Sequence, residues 1–175
     1  MTVTRDQREA WASAYVDQAR EDLRVAQMLQ GRHPSVLAML LQMVFEKLAK
    51  AALLYSKKID VEDAQRTHKA AESLMAIFRT HPRFLGVFPG TSQRRWLPTA
   101  KLVAELTRLH PQIARGGPHL EYPWEREDGT IGVPARDLEP LLESLWGSPQ
   151  GQLKRLSDLF TFARILADNA EKVFG

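Results

Sequence analysis

The chain has no cysteine among its 175 residues. That excludes a disulfide framework, thiolate catalysis, and zinc or iron–sulfur sites with cysteine ligands, and it agrees with a cytoplasmic protein. Aromatic residues are sparse at 8%. No long uninterrupted apolar run is present: the one candidate span, residues 36 to 55, carries Glu46, Lys47 and Lys50, each costing about 2.5 to 3.5 kcal/mol at a bilayer centre. It reads as a buried helix, and no membrane association is expected. The N-terminus, Met1 to Trp11, alternates charged and small polar residues without the apolar core of a secretory signal. Several motifs are missing too: a Gly-rich phosphate loop, Gly-x-Ser-x-Gly and His-Glu-x-x-His. Their absence removes the simplest nucleotide-hydrolysis, acyl-transfer and zinc-peptidase readings. The paired Glu-x-x-His of bundle di-iron sites is also lacking, since Glu105 is followed at i+3 by Arg108 and Glu62 by Gln65. Neither a metal nor another cofactor is expected.

What is present is a soluble composition, 44% hydrophobic and 26% charged, long enough to bury about 70% of its unfolded surface in one domain spanning 1–175. The charge is polarised. Seven Lys/Arg stand against Glu105 alone between Arg79 and Arg115, and seven acids stand against Arg126 and Arg136 between Glu121 and Glu143. A basic block can attract phosphates or RNA, but adjacent blocks of opposite sign more often pair with each other, within a monomer or across a dimer.

Apolar periodicity predicts helices throughout. Trp11, Tyr15, Ala19, Leu23 and Ala26 form one stripe over Arg5 to Gln30, ended by Gly31, and Pro34 opens a second helix to about Lys57. Asp60 with Asp63 marks a third start, and Ala64, Thr67, Ala71, Leu74 and Phe78 carry it to about Thr80. Residues 82 to 98, with three prolines and two glycines, read as a long loop whose Phe84, Leu85, Val87 and Phe88 tuck against the bundle. A fourth helix is predicted from Thr99 to His110. Residues 111 to 134 read as a connected loop or small hairpin, Asp137 to Trp146 as a short helix, and Gln150 to Val173 as a last helix with Leu153, Leu156, Leu159 and Leu166 on its stripe. The fold is all-α: an up-and-down bundle of about five helices with a loop-rich insertion before the last ones.

The second helix is apolar nearly all round except for one line. Gln42, Glu46 and Lys50 fall at i, i+4 and i+8, with Lys47 one position round. Burying an unpaired charge is costly, so these groups must pair, snorkel or meet a partner. The bland reading is a Glu46 to Lys50 pair in the favoured orientation, worth about 0.2 to 0.5 kcal/mol on an exposed helix.

The text Gln42-Met43-Val44-Phe45-Glu46-Lys47-Leu48-Ala49-Lys50-Ala51 resembles the second-helix signature of the HEPN superfamily, helical nucleotide-binding domains. Ala19-Arg20-Glu21-Asp22-Leu23 followed by Ala26 resembles the family's opening helix. His68 falls where many members carry a histidine, and Tyr122-Pro123 resembles a Tyr-Pro common before the final helices. The likeness covers residues 10 to 80 and, loosely, the Tyr-Pro pair. It implies a helical homodimer that contacts nucleotide or RNA, or that partners a nucleotidyltransferase in a defence or toxin–antitoxin pair. Many members are metal-independent ribonucleases with Arg, four to six residues, then His. None of His33, His68, His81, His110 or His119 has that spacing, so no catalytic residue is assigned and the expectation is a non-catalytic binding module. Its ligand-binding residues would be Gln42, Glu46, Lys47, Lys50, His68 and Tyr122, with Arg94, Arg95 and Lys101 steering phosphates and Tyr122 stacking on a base. The alternatives are a ribonuclease with a rearranged pair, such as Arg66 with His68 or Arg79 with His81, and a purely structural dimerisation domain. His68, Trp11 and Trp96 also have a plainer reading as packed core or interface residues.

Overall fold

Thr4 starts the first helix: its hydroxyl accepts from the Gln7 N–H while the Gln7 side chain accepts from the Thr4 N–H, a reciprocal cap. In the computed structural model, which describes residues 4–88, 93–114, 117–147 and 149–175, helix α1 spans Arg5–Met28 and α2 spans Pro34–Tyr55. The two pack as a helical hairpin with α2 at the centre of the molecule. Ala38, Leu41, Val44, Phe45, Ala49, Ala51, Ala52 and Leu54 on α2 are all inaccessible to solvent. Its apolar surface is therefore covered from several sides, chiefly by α1, α6 (Gln93–Arg108) and α10 (Pro149–Phe174). On α1 the buried stripe is Ala12, Val16, Ala19, Leu23 and Ala26, one residue round from the expected line at its N-terminal end. Trp11 is 41% exposed and leans on the half-buried Tyr15. Small residues at 12 and 19 let α1 lie close to α2, and the bulky rings go to the edge. The Arg20 guanidinium donates to the Ala167 carbonyl and ties α1 to α10.

The expected third helix is two. Helix α3 (Val61–Arg66) is capped by Asp60, whose carboxylate accepts from the Asp63 N–H, and α4 covers Glu72–Thr80. Between them Thr67 is extended and its hydroxyl accepts from the Lys69 N–H, a local bond that competes with the helical one. The side chains of Phe78 and Arg79 lie outside the described residues. Downstream, the expected loop contains a short helix α5 (Pro82–Gly86), and α6 begins at Gln93, upstream of Pro98 rather than after it. A proline there removes one helical hydrogen bond. Burying Trp96, whose ring takes about 150 to 250 Å² out of water, offsets the loss. Trp96, Phe84 and Phe88 join Phe45 and Phe162 in one aromatic cluster.

Beyond α6 come α7 (Pro111–Ala114) and a two-stranded antiparallel hairpin, β1 (Trp124–Glu125) and β2 (Ile131–Gly132), with Trp124 opposite Gly132. A Cβ at 132 would collide with the Trp124 ring, so the indole lies directly on the glycine backbone. Asp137 holds the hairpin to α8 (Pro134–Asp137) by accepting from Arg136, the Val133 N–H and Arg126; the Arg136 guanidinium first, then the Val133 N–H, keep its carboxyl well below the usual range. Helix α9 (Glu139–Trp146) leads to α10, on which Leu153 is 63% exposed rather than on the buried stripe. Five main helices pack together, with the loop-rich region before the last of them, as expected of an all-α bundle. No described helix is long and apolar enough to cross a membrane. The side chains of Arg79, Arg94, Arg95 and Arg115, four of the seven cations of the basic block, lie outside the described residues. Among the described residues the one ion-pair-distance contact between the basic and acidic blocks is that of the His110 imidazole with Glu121, whereas Arg126 and Arg136 pair inside the acidic block.

Candidate functional site

The polar line on α2 faces α1 on one side and the breaks in the chain on the other. Glu46 and Lys50 are 10% and 6% exposed and pair at 2.8 Å through Glu46 Oε1. The same oxygen lies 3.3 Å from His68 Nδ1, and Glu46 Oε2 accepts from Gln42 Nε2 at 3.1 Å. The Lys50 ammonium also stands 5.6 Å above the centroid of the Tyr15 ring. Lys47, one position round, reaches Asp22 Oδ2 on α1 at 2.6 Å, and Asp22 Oδ1 accepts from Gln18. The helical spacing thus sorts two lysines to two carboxylates, and the buried charges are compensated.

His68 reaches Glu46 because the helix breaks at Thr67. A second imidazole lies against it: the His110 and His68 rings are stacked, centroids 4.4 Å apart and planes 16° from parallel. His110 stands between α6 and α7, where its Nδ1 accepts from the Gln112 N–H at 3.2 Å. The proton of its neutral form is therefore on Nε2, which meets Glu121 Oε1 at 3.3 Å. The Leu120 N–H donates to the Leu109 carbonyl and brings Glu121 and Tyr122 back over the end of α6. The result is a cleft of about 320 Å³ lined by Met39, Met43, Glu46, Lys47, His68, His110, Glu121 and Tyr122.

Burial pushes the His110 imidazole below its ordinary value of 6.5, outweighing the opposing pull of Glu121. The folded chain then binds fewer protons at this site than the unfolded one below pH 6.5, so the contribution of His110 to stability is present above that pH and is lost as pH falls through the lowered value. Replacing His110 with asparagine is expected to flatten the decline in unfolding free energy from about pH 7.5 to about pH 5. Urea titrations across that range check it, and an unchanged slope contradicts it.

Glu46, His68 and His110 each offer one ligand atom within 4.8 Å of the others, a donor set suited to a zinc-like ion. The ring geometry opposes such use. Imidazole lone pairs lie in the ring plane, and two nearly parallel stacked rings direct theirs side by side rather than to one point. Lys50 already places its ammonium on the carboxylate oxygen an ion would share.

Of the residues singled out from sequence, Gln42, Glu46, Lys47, Lys50, His68 and Tyr122 come together here. Lys101 does not join them; it lines a separate cavity of about 240 Å³ with Thr99, Arg155 and Asp158. The side chains of Arg94 and Arg95 lie outside the described residues. Sequence reasoning missed His110 and Glu121, which stand far along the chain from Glu46, and Asp22 as the partner of Lys47. A signal for Asp22 existed, an acid placed beside Leu23 on the packed side of α1. Comparison with protein-family models, curated proteins and solved structures finds no match to this chain.

Proposed function

We propose that the chain is a non-catalytic binding module for nucleotide or RNA, with the base seated in the cleft between α2, the stacked histidines and Tyr122. One observation carries the reading: Tyr122 is 61% exposed at the rim of a cleft with Met39 and Met43 along its wall, an aromatic platform beside an apolar slot. Exposed rings of this kind stack on unpaired bases. The volume lies at the small end of ligand sites, about 300 to 1,000 Å³, which suits one base. A second cleft, lined by residues on either side of His68, carries Arg66 and Lys69 together with Asp63 and Glu72, and of these Lys69 is the cation that a phosphate would meet. The resemblance to the HEPN superfamily supports the same reading, and with it a homodimer and a nucleotidyltransferase partner.

A ribonuclease built on His68 and His110 is the second reading, favoured by two carboxylate-paired imidazoles in one cleft. Rings stacked at 4.4 Å leave no room for a phosphodiester between them, which weighs toward binding. Arg66, the proposed partner of His68, pairs instead with Glu62 at 2.6 Å.

A thermal-shift series with mononucleotides and short RNAs tests the proposal. A ligand at 100 times its Kd adds about 2.7 kcal/mol, or a rise of about 5 to 10 °C for a chain of this size. Tyr122→Ala is expected to weaken binding by about 1 to 3 kcal/mol. No shift with any nucleotide or RNA overturns the reading. RNA cleavage in EDTA that His68→Ala abolishes replaces it with the enzyme.

A further inference from the structure

Most polar groups around the cleft are already spent. Both oxygens of Glu46 are engaged, by Lys50 and His68 on one and Gln42 on the other. Both nitrogens of His110 are engaged, by the Gln112 N–H and Glu121. Glu121 differs. Its side chain is 23% exposed, and only Oε1 has a partner among the described residues. A carboxylate accepts at two oxygens with about four lone-pair sites, so most of its capacity remains open at the cleft. Lys47 is the complementary case: an ammonium carries three donors, and one is directed to Asp22.

The groups left for a ligand are therefore a carboxylate and an ammonium on the walls of one slot, under an exposed aromatic ring. Nucleobases differ in how they match that set. Guanine has two neighbouring donors on its pairing edge, N1–H and the N2 amino group, followed by the O6 acceptor. Two adjacent donors fit the two oxygens of a carboxylate, and O6 fits an ammonium. Adenine and cytosine each set a single amino donor beside a ring-nitrogen acceptor, which would face the carboxylate with like charge. Uracil flanks its one N–H with two carbonyls.

We infer that Glu121 makes the cleft selective for guanine, its carboxylate accepting from N1–H and N2–H while Lys47 donates to O6. The inference rests on the nucleotide-binding reading above and adds the identity of the base. The lining agrees in sign: two carboxylates, Glu46 and Glu121, stand with one ammonium, Lys47, so the cleft suits donor-rich edges.

Isothermal titration of the full chain with GMP, AMP, CMP and UMP tests it. GMP is expected to bind about tenfold or more tightly than the others, the discrimination of one good bidentate contact. Glu121→Gln keeps an oxygen for His110 Nε2 and turns the second acceptor into a donor; it is expected to abolish the GMP preference by weakening GMP, and to raise AMP affinity, because an amide matches adenine's amino donor and neighbouring ring nitrogen. Lys47→Met is the second variant and is expected to reduce the preference without reversing it. Equal affinity for all four nucleotides, or a preference that survives in Glu121→Gln, overturns the guanine assignment and leaves nucleotide binding standing. Absence of binding by any nucleotide or RNA overturns both.

Discussion

Replacing Glu46 with alanine is expected to destabilise the chain by about 3 to 5 kcal/mol, the cost of leaving one member of a buried ion pair uncompensated. Lys50 is 6% exposed at its side chain and sits 2.8 Å from the lost carboxylate. No neighbour replaces that charge: Asp22 is engaged by Lys47, and Glu121 by His110. The same deletion removes the acceptor of Gln42 and of His68. A stability of about 5 to 15 kcal/mol is ordinary for a domain, so the variant approaches unfolding. The double replacement Glu46→Leu with Lys50→Leu removes both charges but still leaves the buried Gln42 amide without its acceptor, so it is expected to recover most of the loss and to cost about 1 to 3 kcal/mol. Urea unfolding at fixed pH measures both. A single substitution costing under about 1 kcal/mol would mean that the pair is solvated like a surface bridge.

Phe162→Ala is expected to cost about 3 to 5 kcal/mol. Its ring is inaccessible on α10 and packs against Phe45 on α2, Phe84 on α5, Phe88, and Trp96 on α6, with centroid distances from 5.1 to 6.3 Å. It is the common neighbour of rings from several segments, so the cavity is shared and hard to close. Phe162→Leu, which keeps most of the volume, is expected to cost less than about 1.5 kcal/mol. Denaturant titration gives the sizes, and near-ultraviolet circular dichroism reports whether Trp96 loses its fixed surroundings. Equal costs for the two variants would show that the site collapses around the missing ring.

The parts of the fold that were legible in the sequence are those decided locally. Pro34, Asp60 and the apolar spacing on α2 place helices by rules that need no partner, and the Glu46 to Lys50 pair follows from spacing alone. Where partners decide, sequence reading goes astray. The stripe on α1 rotates by a residue because alanines, not Trp11, suit the close approach to α2. A helical pattern through Thr67 yields to a side-chain bond that frees His68 to face Glu46. Pro98 is overridden by burial of Trp96. The cleft was half readable: α2 announces its polar line, but His110 and Glu121 are delivered by a proline-rich return that has no periodicity to follow. The proline after His110 was visible, and it set the helix end that aims this ring.

The contact between Trp124 and Gly132 limits how this region can vary. Any residue with a side chain at position 132 must push the indole off the strand, and the indole also abuts His119, 5.9 Å between centroids, beside Glu121 and Tyr122. Within the hairpin, Trp124 and Gly132 are thus fixed as a pair, and even an alanine at 132 would be felt at the rim where Tyr122 stands.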